Sequence, residues 1–166
     1  TVPTLLRLGF PPPPGPYPVR PVGSVLVAGV DSEETVGENG RAVNAVDGKP
    51  ATWWHTEWST RTAPLPHWLT LDLQQACWVD GLAYTPRPLP QVNGTIVRYR
   101  VAVSPDALTW VPVVADGVWA NDGTRKVVRW PASLTRYVRL TATAEAQGQA
   151  WTSAAEVEIF GVVAPT

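Results

Sequence analysis

The residues best suited to chemistry in this chain lie in one short segment, Trp53–Trp58, whose sequence is WWHTEW. The segment combines three indole rings with an imidazole and a carboxylate, and it follows the turn-like stretch 47–52. Because Gly48 and Pro50 disfavour a helix, we expect a loop here. A loop so rich in indole either buries its rings in the core or presents them to a ligand. For Trp53 and Trp54 we expect burial.

Further polar and aromatic side chains fall on predicted loops and complete a set suited to sugar binding. An indole face packs on the apolar C–H side of a pyranose, while charged and amide groups hydrogen-bond its hydroxyls. The sequence leaves structural roles open for His55 as a hydrogen-bonded loop histidine, Trp58 as a core ring and Arg87 as the partner of a carboxylate. The candidate carbohydrate-binding residues are Glu38, His55, Trp58, Arg87, Asn93 and Trp151.

No pattern typical of an enzyme accompanies these residues. The two histidines, His55 and His67, lack the HExxH spacing and the cysteine partners of a zinc site. The chain also lacks a Gly-rich phosphate loop and a GxSxG nucleophile motif. Its scattered carboxylates form no specific pair for acid–base catalysis, so we predict a non-catalytic domain.

The composition argues against two classes of partner. A formal net charge of −1 lacks the electrostatic footprint of a nucleic-acid-binding protein and gives no basic attraction to anionic lipid. Nine tryptophans against two phenylalanines are typical of recognition surfaces as well as cores.

The single cysteine, Cys77, lies in an apolar run and is expected to be buried. We see no signal peptide and no apolar run of membrane-spanning length, which predicts a soluble chain.

The pattern along the chain predicts three parts. Residues 1–23 form a proline-rich linker or N-terminal extension, residues 24–161 a β-sandwich, and residues 162–166 a tail. The run 11–18 favours polyproline II, which suits a spacer between modules; a proline-rich ligand for a partner domain is the alternative. From Ser24 onward, short period-two runs alternate with turns, which is typical of an antiparallel sandwich or barrel.

A few local signals interrupt these runs. The only plausible helical turn lies around Ala42–Val46. Asn93-Gly94 and the stretch 104–106 are predicted turns between strands. Asn93 also begins a glycosylation acceptor pattern, although we favour the turn.

The stretch Asn44–Trp58 resembles the signature of the factor five/eight type C, or discoidin, domain. More narrowly, it resembles family 32 carbohydrate-binding modules, which accompany bacterial secreted sialidases and other glycosidases. The similarity extends over about residues 24–161, and the later stretches agree in order and spacing. These stretches are 66–73, 81–87, 93–94, 101–106 with Trp110, 136–140 and 153–157.

The resemblance implies an all-β, antiparallel, jelly-roll-like sandwich that binds its ligand with loops at one end. In galactose-binding members, the positions matching Glu38, His55, Trp58, Arg87 and Asn93 contact the sugar, and Trp151 is expected to form an extra wall. This chain departs from the family in two places. Gly94 stands where a glutamate can follow the asparagine, and Pro88 and Pro90 stand where a glutamine often follows the arginine.

The resemblance also implies a structural calcium ion. Asp47 and Thr52 lie in a tight loop, Glu156 begins the last strand, and the backbone carbonyls of Asn44 and Lys49 complete the expected metal ligands. Hard oxygen ligands of this kind suit calcium. An Asp-Gly turn beside a surface glutamate is the alternative.

These features together predict a non-catalytic carbohydrate-binding module that targets a secreted enzyme to glycans ending in galactose or N-acetylgalactosamine. We expect an extracellular, bacterial monomer tethered to a catalytic domain, such as that of a larger glycoside hydrolase, without membrane insertion or nucleic acid. The alternative is a discoidin-type adhesion domain that binds protein or phospholipid. Phospholipid binding would require exposed apolar loop tips beside basic residues.

Overall fold

The computed structural model describes residues 10–165 and confirms the predicted antiparallel β-sandwich. Within these residues, one short 3-10 helix, Ala42–Val46, forms where the helical turn is predicted. The strands are β1 (Leu26–Val30), β2 (Trp54–His55), β3 (His67–Thr85), β4 (Ile96–Ser104), β5 (Val111–Val118), β6 (Lys126–Glu145), β7 (Ser153–Ala154) and β8 (Glu156–Val163).

Two long strands, β3 and β6, connect the two layers of the sandwich. The main sheet has the order β1-β3-β6-β4-β5, and β8 pairs with β3, while β2 and β7 form a separate small pair. The first part of β3 pairs with β1, and the second part, from Cys77 to Thr85, pairs with β8. Between Asp72 and Cys77 the pairing of β3 with β6 is interrupted, and Gln74 there has a positive φ of 67°. Such an interruption bends a strand and lets it pass from one layer to the other.

The core follows the period-two pattern in the first half of β3 but not in the second. Leu69, Leu71 and Leu73 lie on one face and are fully buried, as the alternation predicts. Residues 77–84 are instead buried on both faces. Their inner side chains join the main core, while the outer ones, including Trp78, pack in a second cluster. This explains why that half is a nearly continuous apolar run.

The second cluster includes Tyr17 of the proline-rich N-terminal segment, so the folded unit extends beyond the predicted boundary at residue 24. Tyr17 is buried against Trp78 and Phe160, and its amide donates to Asp80 Oδ2 at 3.1 Å. Val19 forms a β-bridge with Phe160. Residues 11–16 are exposed and belong to no helix or strand, and residues 1–9 of the predicted extension lie outside the described residues.

The folded unit also extends past the predicted C-terminal boundary at residue 161. β8 continues to Val163, whose partner is Cys77, and Ala164 is buried with its amide bonded to the carbonyl of Ala76. Residues 162–164 of the predicted tail therefore belong to the folded unit, because they continue the backbone pairing along β3. Thr166 lies outside the described residues.

The remaining expectations about single residues and membranes have clear outcomes. Cys77 is a buried free cysteine, and burial raises the pKa of its thiol. Trp54 is a core ring whose Nε1 donates to the carbonyl of Ser32 at 2.8 Å. In residues 10–165, no helix has the length and apolarity needed to cross a membrane.

Candidate functional site

A cleft of about 230 Å³ at one end of the sandwich gathers all six predicted sugar-binding residues. Its walls come from four connections, 31–41, 56–66, 86–95 and 146–152, and from His55 at the end of β2. This volume is below the roughly 300–1,000 Å³ of pockets for drug-sized ligands, so the cleft suits a single sugar ring. The lining residues are Glu38, His55, Trp58, Arg87, Gln91, Asn93 and Trp151.

His55 presents a hydrogen-bond acceptor to the cleft. The residue is only 2% exposed, and its Nδ1 lies 2.7 Å from the carbonyl oxygen of Thr56. A carbonyl accepts only, so Nδ1 carries the proton and Nε2 keeps its lone pair. Burial, with a contribution from nearby Arg87, lowers the pKa of His55. The ring is therefore neutral at pH 7, and its Nε2 can accept a hydrogen bond from a hydroxyl.

Trp58 forms the apolar wall of the cleft and is fixed by the loop opposite. The residue is 42% exposed, so it is not the core ring that the alternative interpretation required. Its Nε1 donates to Glu38 Oε1 at 3.0 Å. A methyl group added at Gly37 would lie 2.7 Å from Trp58 Cη2, so the ring lies directly on the Gly37 backbone. Glu38 is thus oriented by the indole and keeps its second oxygen for a ligand.

Arg87 is a buried cation held between a ring and an amide. It is 5% exposed, its Cζ lies 4.6 Å from the centroid of Trp53, and its Nη2 donates to Gln91 Oε1 at 2.5 Å. No carboxylate within residues 10–165 pairs with it. Burial lowers the pKa of Arg87, but an arginine remains charged. Its Nε is buried, so the terminal N–H groups are the ones that can donate to sugar hydroxyls.

Gln91 is a cleft residue that sequence reasoning missed. In the family a glutamine often follows the arginine, whereas here Pro88 and Pro90 intervene and the chain turns back so that Gln91 reaches Arg87 four residues later. The signal was the pair of prolines, which favours a chain reversal. Gln91 thus adds an amide group to the cleft beside Arg87.

The Asn93 turn is tied to the small sheet beside the cleft. The amide of Thr95 donates to the carbonyl of Val92, and Gly94 has φ +82°, so the predicted turn is present. The carbonyl of Asn93 accepts from Ser153 Oγ at 2.6 Å. A methyl group at Gly94 would lie 2.6 Å from the amide nitrogen of Ser153. No glutamate fits at this position, so the contact that some family members make from it is absent here.

Trp151 closes the remaining side of the cleft. Its ring centroid lies 6.3 Å from that of His55 at an interplanar angle of 50°. The connection that carries it is held by the buried Glu145, which accepts the amides of Gln147 and Gln149 at 2.8 Å each. His67 adds a 2.7 Å contact from its Nε2 to the carbonyl of Ala150.

His67 has a structural role outside the cleft. Its Nδ1 lies 2.7 Å from Asp31 Oδ2. Burial opposes its charge, but the hydrogen bond and charge of Asp31 and the Ala150 carbonyl raise the pKa of His67. Both ring nitrogens face acceptors, so the protonated ring suits this position.

The five predicted calcium ligands come from the 3-10 helix (Asn44), the loop that follows it (Asp47, Lys49 and Thr52) and the start of β8 (Glu156). Asp47 Oδ2 accepts from Thr52 Oγ1 at 2.5 Å, and the carbonyl of Lys49 accepts from the same hydroxyl at 3.0 Å. The carboxyl groups of Asp47 and Glu156 contact each other. The Asn44 side chain instead donates to the carbonyls of Asn39 and Trp53, which leaves only its backbone oxygen as a candidate ligand.

The chemistry of this loop fits a hard cation. Glu156 is 8% exposed, and its Oε1 has no hydrogen-bond partner. Burial and the adjacent Asp47 raise the pKa of Glu156 to about 8. Two carboxyl groups held together with an unpartnered oxygen are the arrangement that a divalent cation would relieve. In residues 10–165 no cluster of three or more histidine, cysteine or acidic side chains is present, so backbone carbonyls and the threonine would have to complete the shell.

The comparison with known proteins decides the family. Residues 29–157 match the F5/8 type C domain. The chain belongs to the F5/8 type C domain family. Relatives include a sialidase from Micromonospora viridifaciens, 40% identical over 136 residues, and a galactose oxidase from Gibberella zeae, 41% identical over 117 residues. These alignments cover 81% and 70% of this chain but only 21% and 17% of the relatives. The chain thus spans about a fifth of the curated relatives that it matches.

Solved structures of F5/8-type sandwiches agree along most of the domain. One is CpGH89CBM32-5 from Clostridium perfringens in complex with GalNAc-β-1,3-galactose, with TM-score 0.78 and 30% identity, covering 86% of this chain and 99% of that one. Another is the family 32 carbohydrate-binding module of C. perfringens NanJ in complex with galactose, with TM-score 0.73 and 28% identity, covering 86% and 97%. Both neighbours were solved with bound sugar, which agrees with the predicted carbohydrate-binding module.

Proposed function

We propose that this domain binds glycans ending in galactose or N-acetylgalactosamine in the cleft between Trp58 and Arg87. The observation that carries the proposal is the meeting of six predicted residues, five from four connections and His55 from β2, around one cleft of the size of a sugar ring. The sugar complexes of the two Clostridium modules support this choice of ligand.

The cleft offers complementary chemistry on its two sides. The exposed Trp58 face packs on the apolar C–H side of the sugar, and His55 Nε2 accepts from one hydroxyl. The Arg87 guanidinium donates to other hydroxyls, with Glu38, Asn93 and Gln91 as secondary partners and Trp151 as an extra wall. A hydrogen bond to a charged group contributes about 1.5–3 kcal/mol. Two or three such terms correspond to an affinity between millimolar and micromolar, or about −4 to −8 kcal/mol.

Binding without catalysis suits a targeting role. The proposed parent protein is a secreted bacterial enzyme, and the domain is a tethered monomer that brings this enzyme to galactose-rich glycans. Similarity to the M. viridifaciens sialidase over part of its length supports this arrangement.

The test of the sugar proposal is titration calorimetry of the isolated domain with galactose, N-acetylgalactosamine and lactose, with glucose as the stereochemical control. We expect saturable binding of the three galactose-type ligands and at least tenfold weaker binding of glucose. A glycan array then extends the list of ligands. If neither method detects binding to a glycan, the sugar proposal fails, and the adhesion alternative is tested with phospholipid vesicles and protein partners.

We propose separately that calcium stabilises the loop formed by Asp47, Thr52 and Glu156, with the Asn44 and Lys49 carbonyls. The unpartnered Glu156 oxygen beside Asp47 supports this proposal. The ion would neutralise two adjacent carboxylates and so fix the loop that precedes His55 and Trp58. Direct calcium titration of chelator-treated protein tests it, and an absence of binding would contradict it.

A further inference from the structure

Glu34 is a buried carboxylate that accepts hydrogen bonds from two separate loops. It is only 1% exposed. Its Oε1 accepts the amides of Trp58 at 3.0 Å and Ser59 at 2.7 Å. Its Oε2 accepts the three consecutive amides of residues 35–37 at 3.0–3.2 Å, and the Ser59 hydroxyl at 2.9 Å. One side chain therefore satisfies six donors that would otherwise lack partners inside the fold.

The two loops joined by Glu34 carry one wall of the cleft. Trp58 belongs to one loop, and Glu38, which accepts the Trp58 indole N–H, belongs to the other. The backbone of Glu34 adds a bond to a third cleft residue, because its amide donates to the carbonyl of His55 at 2.7 Å. Glu34 itself does not line the cleft. Its contacts thus determine where the sugar-binding groups lie without a contact to the sugar.

Only an ionised carboxylate can accept hydrogen bonds from all six of these donors. Burial alone would raise the pKa of Glu34, but the hydrogen bonds from Trp58, Ser59 and Val36 hold it far below the ordinary value for glutamate. Within residues 10–165 no lysine, arginine or histidine forms an ion pair with it. A glutamine at this position would offer one acceptor oxygen and would turn its NH₂ group toward N–H donors.

We propose that Glu34 is a positioning residue of the carbohydrate cleft, which sets sugar affinity by holding Trp58 against Glu38. The inference rests on the proposed function and deepens it. Stacking on an indole requires the ring at a fixed height and tilt, and binding groups must be held by a supporting shell to within a fraction of an ångström. A loop released from Glu34 lets Trp58 leave this position while the sheets remain intact.

The first experiment is lactose titration of Glu34→Gln, with Glu33→Gln as the matched control. Glu33 is the adjacent carboxylate, and it accepts a single amide, that of Ala42. We expect Glu34→Gln to weaken binding by about tenfold or more, because loss of positioning alone has effects of that order. Glu33→Gln is expected to bind within twofold of wild type. Amide exchange should accelerate at residues 35–37, 58 and 59 in Glu34→Gln, with the β3 and β6 amides unchanged.

A double-mutant cycle separates positioning from general loss of structure. If Glu34 acts through Trp58, Glu34→Gln should cost little further affinity in a Trp58→Ala background, which has no ring to position, but should weaken binding by its full factor in an Asn93→Ala background. Equal losses in both backgrounds would overturn the inference, as would wild-type affinity in a folded Glu34→Gln. Should Glu34→Gln fail to fold, Ser59→Ala removes one of the six bonds and must weaken binding at least twofold. Wild-type protein that binds no glycan would instead refute the proposed function, and the inference with it.

Discussion

Replacement of Arg87 by alanine gives the sharpest test of the cleft. Arg87 is 5% exposed, stacks on Trp53 at 4.6 Å and has no acidic partner in residues 10–165. Loss of its charged hydrogen bonds to a sugar costs about 1.5–3 kcal/mol, which lowers affinity by roughly 10- to 150-fold. A millimolar ligand would then escape detection.

The same substitution should leave the fold intact. Stacking of a desolvated guanidinium on an indole contributes about 2 kcal/mol, and its loss is offset because the variant no longer buries an unpaired cation. We therefore expect the melting temperature of Arg87→Ala to stay close to that of wild type. Arg87→Lys keeps the charge but loses the planar guanidinium, so its sugar affinity should lie between those of wild type and Arg87→Ala.

Titration calorimetry with lactose measures this effect, and Arg61→Ala is the control. Arg61 has a 71% exposed side chain and, within residues 10–165, pairs only with Glu57, so its removal should change affinity by less than twofold. A folded Arg87→Ala that binds lactose within twofold of wild type would refute the assignment of Arg87 to the site.

Three further predictions follow from the geometry. Sugar affinity should be constant between pH 7 and 8 and decrease below pH 6.5, because the lowered pKa of His55 keeps Nε2 an acceptor until the ring is protonated. The same lowered pKa means that the contribution of His55 to stability is present above pH 6.5 and is lost as the pH falls further. Calorimetry and melting curves at several pH values would measure the two effects. Calcium at a hundredfold excess over its dissociation constant should stabilise the domain by about 2.7 kcal/mol. Asp47→Ala or Glu156→Ala should lower the melting temperature and remove its response to chelator, whereas an unchanged wild-type melting curve after chelation would count against the ion. Gly37→Ala should weaken lactose binding several-fold with little effect on melting, because its methyl group would lie 2.7 Å from the Trp58 ring; unchanged affinity would show that the ring position is not critical.

The architecture followed from local patterns because strands leave a period-two signature. Leu69, Leu71 and Leu73 predicted a half-buried strand, and the structure buries that face. The second half of β3 gave no alternation, because the segment around Tyr17 covers its outer face. That contact joins residues about sixty positions apart in sequence, and a pattern within a short window carries no information on it.

The sequence by itself determined the chemical types in the cleft: an indole, an imidazole, a guanidinium and a carboxylate on loops of known order. Tertiary structure decided which of these meet and in what state. Burial keeps His55 neutral, and the hydrogen bond from its Nδ1–H to the Thr56 carbonyl leaves Nε2 as the acceptor. Gln91 reaches Arg87 because the chain turns back after Pro88 and Pro90. Glu34 holds Trp58 from 24 positions away. Such bonds join a side chain to distant backbone amides, whose direction depends on loop conformation and not on residue type.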